Sequence, residues 1–325
     1  MKLPRRNFLH LAACAAALPA VSRFACAQTY PARPVRIIPG FAPGGVVEIV
    51  ARLIGQSLSE RLGLPFIIES RPGAASNIAT EAVVRAPPDG YTLLVVSSAN
   101  AINATLYDKL NFVFLRDIAP IASIIRLPFV MVVNPSVPAK TVPEFIAYAK
   151  ANPGKLTMAS GGNGSPQHVG GELFKMMTGV DVVHIQYRGS GPALIDLLAG
   201  QVQVGFDTMP AVIEYIRAGK LRALAVTTMT RSEALPDIPI MSDFVPGYEA
   251  SGYFGFGAPA RTPAGIVDKL NKEINAGLAD PKLKTQFVDL GGIILGGSSA
   301  DFRTLITEET EKWGKVIRAA NIKAD

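Results

Sequence analysis

Cysteine, histidine and tryptophan are scarce in this 325-residue chain, with two, three and one copies respectively. Both cysteines, Cys14 and Cys26, fall near the start, so the sequence beyond them can form no disulfide and offers no thiol nucleophile or thiolate metal ligand. Away from the N-terminus only His168 and His184 remain as histidines. His168 falls early in an expected helix and His184 in an expected buried strand, so structural roles are expected for both rather than a catalytic pair. The acidic residues show no clustering that would hold a metal. No Gly-x-Ser-x-Gly elbow, no Gly-Lys-Ser/Thr phosphate loop and no His-Glu-x-x-His helix occurs. These absences remove the common hydrolase, nucleotide-binding and zinc-protease readings. No catalytic residue, metal site or cofactor is expected.

Long apolar runs are missing as well. Nothing reaches the roughly 20 uninterrupted apolar residues that a membrane-spanning helix needs. The N-terminus instead carries Arg5-Arg6-Asn7-Phe8-Leu9, an apolar stretch over 11–21, and Ala25-Cys26-Ala27 ahead of Gln28. A charged start, a short apolar stretch and small residues at a cleavage point predict an export signal over residues 1–27. The arginine pair fits the twin-arginine route and ordinary secretion alike. Leu11-Ala12-Ala13-Cys14 resembles a lipoprotein box, but too few apolar residues precede Cys14 for a good signal core. The expected location is therefore the periplasm, with a large core doing the work that disulfides do in small secreted proteins. Lys2, Arg5, Arg6 and Arg23 leave with the signal, so most of the excess of 32 basic over 26 acidic residues leaves too. A nucleic-acid partner loses its electrostatic support.

From residue 35 onward, short β-branched runs alternate with helical periodicity, which predicts parallel α/β structure. Strands are expected over 35–38, 66–69 and 91–96, with helices over 46–62 and 77–86, the latter capped by Ser76. A second unit starts after Asn134-Pro135. It has a Thr141/Glu144 capping box, strands over 156–159, 182–186, 202–206 and 222–226, and helices over 166–178, 192–199 and 210–218. The C-terminal part, with a strand over 253–258 and helices over 264–278 and 300–319, lacks a complete third unit. It is expected to return to the first. This predicts one lobe from residues 28–126 plus 248–325 and a second from 127–247. The chain would cross twice between them, near Arg126-Leu127-Pro128 and near Pro246-Gly247.

Ligands of open parallel sheets bind at the loops that follow the strands. The loop Phe41-Ala42-Pro43-Gly44-Gly45 runs into a helix beginning at Val46, where free N–H groups and the helix dipole favour an anion. Ser97, Ser98 and Asn100 follow the third strand with small polar side chains. Ser160, Gly162, Asn163, Gly164 and Ser165 form a similar Gly-rich entry to a helix in the second unit. Arg188 could pair with a carboxylate or simply face solvent. Asp207 closes its strand and either points into the crevice or caps the next helix. If backbone amides hold the anion, bulk at Gly44 or Gly164 is expected to abolish binding with folding intact.

The same segments carry a family resemblance over essentially the whole chain after residue 27. Its marks are Phe41-Ala42-Pro43-Gly44-Gly45, Arg71-Pro72-Gly73-Ala74, Pro88-Asp89-Gly90-Tyr91, Tyr187-Arg188-Gly189, Ala199-Gly200-Gln201-Val202, and Ala218-Gly219-Lys220-Leu221-Arg222-Ala223-Leu224. In these the chain resembles the substrate-binding proteins of tripartite tricarboxylate transporters, the Bug family. The resemblance implies a type II periplasmic-binding fold, two α/β lobes with two crossovers closing on a small carboxylate, and no enzymatic activity. It also implies a membrane transporter or sensor as partner and a monomer in solution. The implied carboxylate is a di- or tricarboxylate or an aromatic one. An exported hydrolase or transferase on a similar two-lobe frame is the alternative. This chain departs from the family pattern at Glu48, where Asp is usual, at Ala75-Ser76, and at Tyr253, where Trp is frequent.

Overall fold

The computed structural model describes residues 30–324. The predicted export signal over residues 1–27, with Cys14 and Cys26, lies outside the described residues. The first strand, β1 (Val35–Ile38), is buried at three of its four positions. Helix α1 (Val46–Leu62) follows. It buries Val50, Ile54 and Leu58 on one face and ends where Gly63 turns left-handed, at φ 72°, and its N–H reaches Ser59 O. Next come β2 (Phe66–Ile68), α2 (Asn77–Val84) and the wholly buried β3 (Thr92–Ser97). β1 lies between β2 and β3 and runs parallel to both, as the alternation of elements requires.

Helix α2 is shorter than expected and is not capped by the Ser76 side chain. Ala74, Ala75 and Ser76 all have positive φ, at 44°, 48° and 79°, so the backbone itself turns the chain into the helix. Helix α3 (Ser98–Leu106) starts at the residue after β3, where the sequence reading places a loop. The short α4 (Phe114–Asp117) leads into β4 (Ile118–Val133), a 16-residue strand absent from the sequence reading.

Strand β4 organises the molecule. Helix α5 (Val142–Ala151), β5 (Leu156–Ser160), α6 (Pro166–Thr178), β6 (Val182–Gln186), α7 (Ser190–Ala199), β7 (Val204–Thr208), α8 (Met209–Arg217) and β8 (Arg222–Val226) follow it. At the start of α5 the Thr141 hydroxyl accepts the Glu144 N–H, while the Glu144 carboxylate takes the Lys140 N–H rather than completing the predicted box. After residues 227–250 come β9 (Ser251–Pro259), α9 (Ala264–Leu278), α10 (Pro281–Asp289), β10 (Ile293–Gly296) and α11 (Ser299–Ala319). From Ile118 to Pro128, β4 is antiparallel to β9, with β10 on its other side. From Phe129 to Val133 it pairs instead with β7 and β8. One strand thus belongs to both halves of a continuous sheet ordered β2-β1-β3-β9-β4-β7-β5-β6.

Proline hid this strand, because Pro120 and Pro128 each remove a ladder donor. Pro120 stands at a register shift and Pro128 at the change of neighbours, two places where a missing N–H is tolerated. The described chain forms a two-lobe α/β fold, crossing between its halves along β4 and again through residues 227–250. Strand β6 is an edge strand exposed at Val183, Ile185 and Gln186, not the buried strand expected around His184. The aromatic core sits near the crossing, where Phe174, Phe206 and Tyr248 pack at ring separations of 5.8 to 6.5 Å. There the Tyr248 hydroxyl donates to Gly170 O at 2.9 Å.

Candidate functional site

A cavity of about 170 Å³ lies where the two halves meet. Its walls come from the loop after β1 (Phe41), the first turn of α1 (Val47), the β3–α3 junction (Ser97, Ser98, Ala99), the first turn of α6 (Pro166, Gln167) and the residue before α8 (Thr208). Leu127 and Phe129 of β4 and Gly252 and Phe254 of β9 form the floor at the crossing. The first turns of three helices and the N-cap of a fourth therefore meet one cavity, two from each half. Helix starts carry unpaired N–H groups and the positive end of the dipole, so the converging geometry favours an anion.

Strand periodicity selects the apolar part. Gly252 and Phe254 share one face of β9, and the intervening Tyr253 points to the other, where its ring meets Phe302 edge-on at 6.3 Å. Of the two adjacent aromatics, Phe254 thus belongs to the cavity and Tyr253 to the core.

The polar part is sparse and ordered from behind. Ser97 is 4% exposed and stands at the N-cap of α3, in a capping box with Asn100. Asn100 does not reach the cavity. Its Oδ1 accepts the Ser97 N–H at 2.8 Å and its Nδ2 donates to Thr80 Oγ1 at 2.9 Å, which fixes the β3–α3 corner. In the other half Asp207 stands directly behind Thr208 and Gln167. Its Oδ1 accepts the Thr208 N–H at 2.7 Å and the Ser190 hydroxyl at 3.2 Å, and the carboxylate also bonds the Gln167 side chain. Burial pushes the Asp207 carboxyl above the usual range, and these donors oppose the shift. Asp207 does not cap α8, whose N-cap is Thr208.

The two Gly-rich loops stand beside the cavity, and a glycine N–H in each is already engaged. Pro43, Gly44 and Gly45 are exposed, and Val46 precedes the lining residue Val47. The Gly44 N–H donates to Glu48 Oε2 at 2.6 Å, and Glu48 also pairs with Arg52. The Gly44 bond first, and then the Arg52 guanidinium, hold the Glu48 carboxyl below its ordinary range. In the second loop the Gly164 N–H donates to His168 Nδ1 at 2.9 Å, and the Asn163 amide donates to Lys323 O at 2.6 Å. Ser165 caps α6 by accepting the His168 N–H. The Ser160 hydroxyl lies 3.0 Å from Gly162 O and 2.7 Å from His184 Nε2. The His168 and His184 rings stack 3.5 Å apart, and burial with the neighbouring His168 lowers the His184 pKa to about 4. Ser160 and His184 have the spacing of a nucleophile and its base, yet Ser160 is buried and neither lines the cavity. Arg188 is exposed and forms no ion pair among the described residues.

Of the predicted site residues, the structure brings Phe41, Ser97 and Ser98 to the cavity and sets Asn100 and Asp207 behind its wall. Pro43, Gly44, Gly45, Val46, Ser160, Gly162, Asn163, Gly164, Ser165 and Arg188 lie outside its lining. Sequence reasoning missed Val47, Leu127, Phe129, Gln167, Thr208 and Phe254. Two had a readable signal, since Gln167 follows the proline that opens α6 and Thr208 precedes the proline-marked start of α8.

Residues 50–322 match the family described as the tripartite tricarboxylate transporter family receptor. BugT of Bordetella pertussis is 36% identical over 300 residues, 91% of this chain and 92% of that protein. Among solved structures, R. palustris Rpa4515 with adipate is 35% identical with a TM-score of 0.80, covering 90% of this chain and 99% of that one. MatC from Rhodopseudomonas palustris with bound malate is 30% identical with a TM-score of 0.76, covering 89% and 100%. The two-lobe α/β architecture of the chain is that of these binding proteins, and by sequence and fold it belongs to the tripartite tricarboxylate transporter receptor family.

Proposed function

We propose that the chain is a solute receptor that captures a small carboxylate in the cavity between its halves, outside the cytoplasm, and delivers it to a membrane transporter or sensor. The observation that carries this reading is the convergence of four helix starts on one cavity between the halves. Adipate and malate in the structures of two relatives support the ligand class. The export-type N-terminus, and the absence of any helix among the described residues long and apolar enough to cross a membrane, agree with a receptor working beyond the inner membrane. A non-catalytic role is supported by the placement of Ser160 and His184 away from the cavity. The lobes correspond to residues 28–126 plus 248–325 and 127–247, and each supplies half of the ligand's contacts. The receptor works as a monomer, with the crossings at Pro128 and 227–250 as its hinge.

Titrating the purified chain with mono-, di- and tricarboxylates in a calorimeter, while following each for turnover, tests this. Saturable binding of at least one carboxylate without product is expected. Turnover of the bound compound, or heat from none of them, would sink the reading.

A further inference from the structure

We infer that Asp207 is a positioning residue, a buried carboxylate that touches no ligand and sets the direction in which the second half's polar wall faces the cavity. This rests on the carboxylate-receptor reading above. Strand alternation packs Phe206 into the aromatic core and turns Asp207 to the other face of β7, where it is 9% exposed and outside the cavity lining. Three segments converge on it there. The Thr208 N–H donates to its Oδ1 at 2.7 Å and the Ser190 hydroxyl, at the start of α7, donates at 3.2 Å. The Thr208 hydroxyl and the Gln167 side-chain amide of α6 donate to the same carboxylate. Gln167 and Thr208 are the polar residues that this half contributes to the cavity wall.

Each of these donors is neutral, and the ladder neighbour of Asp207 on β4 is Val130. A buried carboxylate without a cation is costly, and neutral donors recover only part of the cost. Stability alone does not call for it, because an asparagine of the same shape would accept the Thr208 N–H with no charge to desolvate. What the carboxylate adds is direction. Its two oxygens only accept, so Ser190, Gln167 and Thr208 must each aim a hydrogen at it, and the Gln167 carbonyl and the Thr208 hydroxyl lone pairs are left facing away from it. An asparagine amide turns one of the two acceptors into a donor, and Gln167 or Ser190 must then reverse. Reversal of Gln167 exchanges oxygen for nitrogen at the cavity wall.

The test is calorimetry and thermal unfolding of the parent, Asp207→Asn, Gln167→Ala and the double variant, with adipate and malate as probes and the wider carboxylate panel where the parent binds neither. Asp207→Asn is expected to lose at least tenfold in affinity while its thermal midpoint stays at or above the parent's, a split that a merely structural residue would not show. In the Gln167→Ala background the same substitution should cost less than threefold, because the group it orients is gone. Affinity within twofold of the parent, or affinity and midpoint falling together, would overturn the positioning role and leave the receptor reading standing. Equal losses in the two backgrounds would overturn the orienting of Gln167 and the inference with it. Silence of the parent toward the whole panel would instead remove the receptor reading and everything that rests on it.

Discussion

At the scale of single residues, the glycines of the two loops illustrate how position outweighs identity. Both Gly44 and Gly164 have positive φ, at 95° and 68°, which an L side chain adopts only with strain. A Cβ at Gly44 meets open space, whereas one at Gly164 falls 2.3 Å from Leu106 Cδ2. The sequence-based expectation that valine at either site spares folding therefore holds poorly for Gly164. Gly164→Val should lose about 3 kcal/mol or more of stability through strain and clash, and Gly44→Val about 1–2 kcal/mol through strain alone. Urea unfolding of the two variants checks the order, and equal losses would contradict it. The stacked histidines give a second residue-scale prediction. His184 titrates near 4 in the folded chain, against about 6.5 when unfolded, because burial and His168 oppose its charging. Between those values the unfolded chain binds more protons, so this contribution is fully present above pH 6.5 and is lost as pH falls toward 4. His184→Gln should flatten stability across that window, measured by urea midpoints from pH 7 to pH 4. A profile as steep as the parent's would assign the acid sensitivity elsewhere. Asp207 has the opposite sign, since its raised pKa makes its ionisation a cost above the carboxylate range that is relieved on acidification.

Among the elements, α11 is the one that ties the C-terminal segment to the crossing. Its Trp313 is fully buried and donates to Glu309 Oε2 at 2.7 Å, and Lys312 pairs with both Glu309 and Glu249. Glu249 in turn pairs with Arg126 of β4 at 2.6 Å and accepts the Ser251 hydroxyl of β9. Burial alone would raise the Glu249 carboxyl, but Lys312 and Arg126 hold it below its ordinary range. Removing Glu249 leaves Arg126 without its ion-pair partner in a largely buried cluster, while Lys312 keeps Glu309, and losing one partner of a buried pair typically costs about 3–5 kcal/mol. Glu249→Ala is therefore expected to lose about 3 kcal/mol or more, read from chemical unfolding. A loss under about 1 kcal/mol would mean that the cluster is hydrated and behaves as a surface network.

For the molecule as a whole, the continuous strand β4 and the return through 227–250 connect the two halves. Each half lines part of the cavity, so a ligand that bridges them favours the closed arrangement by its differential contacts. Small-angle scattering with a saturating bound carboxylate should show a smaller radius of gyration than the ligand-free protein. An identical profile in both states would mean that the cavity fills without rotation of the halves.

Much was already written in the linear order of residues: the parallel α/β alternation, helix starts marked by Thr141, Ser165 and Pro166, stops at Gly63 and Gly179, and the loops that carry the family resemblance. These are local properties, set by backbone sterics, capping and periodicity within a few residues. Tertiary structure alone decided that residues 118–133 form one strand, because its ladder partners lie as far away as Ile293 opposite Arg126, and those pairings outweigh two prolines. It likewise decided that Phe254 rather than Tyr253 faces the cavity, and that Gly44 and Gly164 spend their N–H groups on Glu48 and His168. A glycine-rich loop advertises free amides in sequence, but whether they stay free depends on which side chains the fold brings back to them.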